Sequence, residues 1–94
     1  VTGNTAFIDS RYTVGQPYPN PASDKASITI TTISSGKLQY ELIDLTGKVM
    51  HRGTQNITQG ENELIVDTTD LKTGMYHISI KANHINVSRK IIVK

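Results

Sequence analysis

The chain has no cysteine and no tryptophan, a single phenylalanine, and three prolines among 94 residues. Without cysteine there is no disulfide framework and no thiolate-ligated zinc or iron–sulfur site. The same absence leaves the cellular compartment open, because many exported proteins carry no disulfides. With aromatics at 5% there is no tryptophan platform for a sugar ring and no row of rings on which nucleobases could stack. No apolar run approaches the roughly 18 residues of a membrane-spanning helix. The length suits one small domain with one core. Val1 stands where an initiator methionine would. The chain is therefore expected to be a piece of a longer protein, and the lack of a leader says nothing about the parent.

What is abundant points to sheet. There are 12 isoleucines, 6 valines and 12 threonines, against 4 alanines and 5 leucines. Such β-branched side chains are stiff at χ1 and pack better on a pleated surface than on a helix. Residues 1–15 show no sustained period and read as a linker, with a short strand near Ala6–Ile8. Pro17, Pro19 and Pro21 make the next stretch extended and non-helical, leading to a turn at Ala22–Lys25. Alternating segments then recur every 8–12 residues: Ala26–Ile33, Lys37–Asp44, Glu63–Asp67, Met75–Ala82 and Ile85–Val93. Shorter strands are expected at Lys48–Arg52 and Asn56–Thr58, and a single turn at Thr68–Thr73. Asn83-His84 is a hairpin candidate. These features predict an all-β domain, an Ig-like antiparallel β-sandwich of about six to seven short strands.

Charge is nearly balanced, at +2 overall, but residues 81–94 hold Lys81, Arg89, Lys90 and Lys94 and no acid. With no stacking rings and no helix to enter a groove, nucleic acid is rejected as a partner. A basic final strand also discourages edge-to-edge aggregation. No serine lies in a nucleophile elbow, and coincidental Ser/His/Asp combinations among 19 Ser and Thr residues carry no weight. His77 and His84 flank the hairpin, but the strand register turns His77 to solvent. Asp67 and Asp70 fall far short of a calcium loop, and Asp70 reads as the cap of the Thr68–Thr73 turn. The dispersed glycines make no phosphate cradle. The tripeptides Asn56-Ile57-Thr58 and Asn86-Val87-Ser88 fit the glycosylation sequon, which matters only on a eukaryotic secretory route. No catalytic residue, no cofactor and no metal is expected.

Four segments in order carry a resemblance. They are Tyr18-Pro19-Asn20-Pro21-Ala22-Ser23-Asp24-Lys25, Leu42-Ile43-Asp44-Leu45-Thr46-Gly47-Lys48-Val49, Leu71-Lys72-Thr73-Gly74-Met75-Tyr76-His77-Ile78, and Arg89-Lys90-Ile91-Ile92-Val93-Lys94. Each is weak alone. Together, at this spacing, they resemble the type A C-terminal sorting domain of the type IX (Por) secretion system of Gram-negative bacteria, over residues 16–94. The resemblance implies a non-catalytic secretion signal behind a cargo that has reached the periplasm. An outer-membrane translocon would pass that cargo to the cell surface, where a sortase usually removes the signal. Residues 1–15 would be the linker from the upstream cargo.

Most of the motif residues have a physical reading as structure. Pro19-Asn20-Pro21 sets the direction of the first long strand, and Asp24 belongs to the same, mainly structural, motif. Asp44, Gly47 and Lys48 suit a turn with a local acceptor and a positive φ. Gly74 would permit a left-handed backbone that launches Tyr76 inward, where its hydroxyl needs a partner. The terminal residues Arg89, Lys90, Ile91, Ile92, Val93 and Lys94 are the candidates for being read by the translocon, through strand addition or an acidic surface. The competing class is a binding or spacer module at the end of a secreted protein. Weak self-association through an exposed edge strand is a third option.

Overall fold

Alternation of apolar and polar residues requires a sheet with one buried face, and the strands follow it. In the computed structural model, residues 12–82 and 85–94 are described. Among them lie β1 (Tyr12–Val14), β2 (Lys25–Thr32), β3 (Gly36–Asp44), β4 (Val49–Ile57), β5 (Gly60–Asp67), β6 (Gly74–Lys81) and β7 (Asn86–Val93). All neighbours pair antiparallel, in a three-stranded sheet of order β1-β2-β5 and a four-stranded sheet of order β4-β3-β6-β7. The chain changes sheet after β2, β4 and β5, so the two sheets share one core. The expected β-sandwich is thus the architecture observed.

That core is almost wholly aliphatic. Ala26, Ile28 and Ile30 of β2, Leu64 and Val66 of β5, Leu38 and Leu42 of β3, Ile78 and Ile80 of β6, and Ile91 and Val93 of β7 are buried. Each fully buried Ile or Leu stabilises the fold by roughly 1.5–3 kcal/mol. Tyr76 is the only aromatic among the buried residues described.

Two sequence readings need correction. The two short strands expected at Lys48–Arg52 and Asn56–Thr58 are one continuous nine-residue strand, β4. Its inward positions opposite Leu42, Tyr40 and Leu38 are His51, Gly53 and Gln55, which give no apolar alternation. Gly53 is needed where it stands, because an added Cβ would lie 2.9 Å from the Tyr40 ring. That ring covers the glycine and is half-buried instead of reaching the centre. Second, the end of the expected linker is part of the domain. Tyr12, Thr13 and Val14 pair with Thr32, Thr31 and Ile30, and Gly15 and Tyr18 continue along β2 through hydrogen bonds to Thr29 and Ser27. The strand expected near Ala6–Ile8 and the Asn83-His84 hairpin lie outside the described residues.

Both open sides of the sandwich are closed by polar straps. On the β4/β5 side, the Gln55 amide donates to the Glu63 carbonyl at 3.0 Å, and His51 Nε2 meets Asp70 Oδ1 at 3.0 Å. On the other side, Arg89 crosses from β7 and donates to the carbonyls of Val14 at 2.8 Å and Gly15 at 3.3 Å.

Thr68 is 1% exposed, and its hydroxyl has no hydrogen-bond partner among the described residues. Replacing an orphaned buried hydroxyl with a methyl of similar size removes a desolvation cost. Thr68→Val is therefore expected to raise stability by about 1 kcal/mol in urea unfolding. A loss of stability would show that the hydroxyl is bonded in solution.

Candidate functional site

The four segments that lie far apart in sequence come together at one end of the four-stranded sheet. Leu42, Ile43 and Asp44 of β3 pair with Ile78, His77 and Tyr76 of β6. Gly74 through Ile78 of β6 pair in turn with Val93 through Arg89 of β7. The Pro-Asn-Pro segment then lies against the free edge of β7. Ala22 makes a parallel bridge with Val93. Its amide donates to the Ile92 carbonyl at 2.7 Å, and its carbonyl accepts from the Lys94 amide at 2.8 Å. The Asn20 side chain adds two bonds, donating to the Lys90 carbonyl at 3.3 Å and accepting from the Ile92 amide at 2.9 Å. Ala22, expected in a turn, is thus a buried residue at the edge of the terminal strand. The Tyr18-Pro19 and Asn20-Pro21 peptide bonds are both cis.

The turn residues act as the sequence suggests, with one difference. Asp44 Oδ1 accepts from the Thr46 hydroxyl at 2.7 Å, the Thr46 amide at 2.9 Å and the Lys48 amide at 3.0 Å. Gly47 has φ 91°, a conformation costly for any side chain with a Cβ. The Tyr76 hydroxyl donates to the Lys72 carbonyl at 2.7 Å, the partner it needed. Gly74 has φ 159°, a positive φ that residues with a Cβ rarely adopt, as the sequence suggests. Asp24 contributes its backbone carbonyl, which accepts from the Thr68 amide at 2.8 Å. The cap of the following turn is Asp67, not Asp70. Asp67 Oδ1 accepts from the Thr69 amide at 2.9 Å and hydroxyl at 2.7 Å, while Asp70 is held by His51.

The hydrogen bonds set the carboxyl chemistry. The Thr46 hydroxyl, then the Lys48 amide, hold the Asp44 carboxyl below its ordinary range. The Thr69 amide, then its hydroxyl, do the same for Asp67. On the opposite sheet the Tyr18 hydroxyl donates to Glu63 at 2.7 Å, and that bond raises the phenol above its usual value. No group of three or more metal-ligating side chains converges among the described residues. His77 is exposed on β6, and its expected neighbour His84 lies outside the described residues.

The six terminal residues divide by alternation. Ile91 and Val93 are buried, and Arg89 is a strap. Lys90, Ile92 and Lys94 face outward. Beside Lys90 stands His77, with Ile43 next to it, and beside Ile92 stands Met75. Sequence reasoning missed Ile43 and Met75 as surface partners. Both lie within the quoted segments but at positions without a role assigned there, and only the pairing register brings them together. The whole outer face is basic, carrying Lys37, Arg52, Lys81 and Lys90 with Glu41, whose carboxylate lies 3.5 Å from Arg52. The outer face of the other sheet carries Glu61, Glu63 and Asp67 with Lys25.

The described residues thus form a small antiparallel sandwich, strapped on both sides, with its sequence motifs gathered at one end of the larger sheet. The secretion system C-terminal sorting domain family matches residues 16–94, and the chain belongs to this family of the type IX system. A search of the curated proteins finds no match. Among solved structures, one described as dimeric latent PorU from Porphyromonas gingivalis is similar with a TM-score of 0.69 and 19% identity. The alignment covers 87% of this chain and 9% of that one, so the likeness concerns the fold of one small part of PorU. Membership makes the domain a type IX sorting signal, which implies a secreted or cell-surface protein, a cargo in cis and contact with the secretion machinery.

Two predictions follow from these bonds. Arg89→Met keeps much of the side-chain volume but removes both bonds to Val14 and Gly15. It is expected to cost about 1–2 kcal/mol in urea unfolding, with Arg89→Lys recovering only part because lysine lacks the planar fork. Full stability in Arg89→Met would show that the strap contributes nothing. The lowered Asp44 and Asp67 carboxyls contribute stability that is complete above their unfolded values and is lost as pH falls through the lower folded ones. Thermal midpoints should therefore drop below about pH 4, and Asp44→Asn with Asp67→Asn should flatten that acid limb.

Proposed function

We propose that residues 16–94 form a non-catalytic address label that carries an upstream cargo from the periplasm through the type IX outer-membrane translocon to the cell surface. Residues 1–15 act as the connection to that cargo, with Tyr12–Val14 doubling as the first strand of the label. A surface sortase then removes the domain, cutting upstream of the sandwich. The terminal segment Arg89–Lys94 is what the translocon reads. The observation that supports this reading is the assembly of all four motif segments around that terminal strand. The outward cations Lys90 and Lys94 are not needed for burial.

The test is a transplant. Residues 1–94 are fused behind a signal peptide and a fluorescent reporter, then expressed in a type IX-competent bacterium and in a translocon mutant. Surface or medium fluorescence in the competent strain alone is the expected result. Reporter held in the periplasm of both strains, with the domain intact, would replace this reading with a binding or spacer module.

A further inference from the structure

The structure narrows how the terminal strand can be read. A partner strand adding to the edge of β7 would need its outward amides and carbonyls. Those of Ile92, the Lys90 carbonyl and the Lys94 amide are already bonded to Asn20 and Ala22, and the Ser88 carbonyl accepts from the Arg89 side chain at 3.1 Å. The inward side chains are committed as well, to the core and to the strap. At this end of the strand what β7 still offers is its outer face, and there it is continuous with β6 and β3. We propose that this composite face, made of Ile43, Met75, His77, Lys90 and Ile92 with Lys94 beside them, is the docking surface for the secretion machinery. This rests on the sorting-signal reading above.

The occupant is a protein surface with an apolar centre flanked by carboxylates. Met75 and Ile92 form a cross-strand pair, each 37% exposed, and Leu45 in the adjoining turn is 69% exposed. Exposed apolar side chains on the other sheet, such as Ile65, stand among acids. Among the described residues Lys90 and Lys94 enter no ion pair, and the acids Glu61, Glu63 and Asp67 of the same chain lie on the opposite face. The positive charge of this face is therefore left for a partner to meet. Met75 and Ile92 sit flush in a paired sheet, which suits a flat complementary protein surface better than insertion between lipids.

The export assay tests the face directly. Met75→Asp, Ile43→Ser and the pair Lys90→Glu with Lys94→Glu are each expected to lower surface fluorescence by about tenfold or more, with thermal midpoints close to that of the parent. Ile65→Ser on the opposite sheet should leave export unchanged. A synthetic peptide of residues 86–94 should fail to compete, while the folded 94-residue chain competes. Normal export of Met75→Asp and Ile43→Ser, alongside loss in the lysine pair, would overturn the composite face in favour of a linear tail. Salt-sensitive binding of the chain to phosphatidylglycerol vesicles that Met75→Asp abolishes would overturn the protein partner in favour of a membrane. Failure of the unmodified fusion to leave the periplasm would refute the sorting reading instead, so the two failures are distinguishable.

Discussion

The contact between Asn20-Pro21-Ala22 and the terminal strand organises the rest of the molecule. A strand at the edge of a sheet exposes a row of backbone donors and acceptors, which is costly to bury and hazardous to leave open. Here a segment about seventy residues earlier supplies the partners, two through the Ala22 backbone and two through one asparagine side chain. With the edge sealed, Ile91 and Val93 are held in register against the core, and Arg89 is positioned to reach the first strand. The outward side chains of the same strand are then fixed in direction by structure on both sides.

The second organising feature is the division of charge between the sheets. Cations gather on the outer face of β4-β3-β6-β7 and acids on that of β1-β2-β5. The chain is nearly neutral as a whole, so this polarity is a property of strand order and alternation. Interactions between exposed charges are screened over about 8–10 Å in physiological salt. A partner approaching one face therefore responds chiefly to that face.

Much of this architecture was legible in the sequence because most strands bury one apolar face. Ile28/Ile30, Leu38/Leu42, Leu64/Val66, Ile78/Ile80 and Ile91/Val93 all announce their strands by period two, and all are buried. β4 was not legible as one strand, because its inward positions before the buried Ile57 are His51, Gly53 and Gln55. Their partners are an aspartate in the loop after β5, a tyrosine ring and a carbonyl, none of which leaves a local pattern. β1 is three residues long and gains its place only through β2. The exchange of roles between Asp67 and Asp70 turned on a distant residue, His51. Of the candidate site, the terminal segment was visible as a basic run. Its neighbours Ile43 and Met75 became neighbours only through register.

The hydrogen bonds that tie Asn20 to Lys90 and Ile92 span 70 and 72 residues of chain. Loops of that length close slowly, because the entropy of bringing their ends together is lost before the contact rewards it. The outer face at that end of the sheet cannot take shape until β3, β6 and β7 are paired, and the Asn20 clamp completes the same assembly. On the proposal that a receptor reads this face, it would distinguish finished molecules from unfinished ones, and the address would double as a certificate of folding.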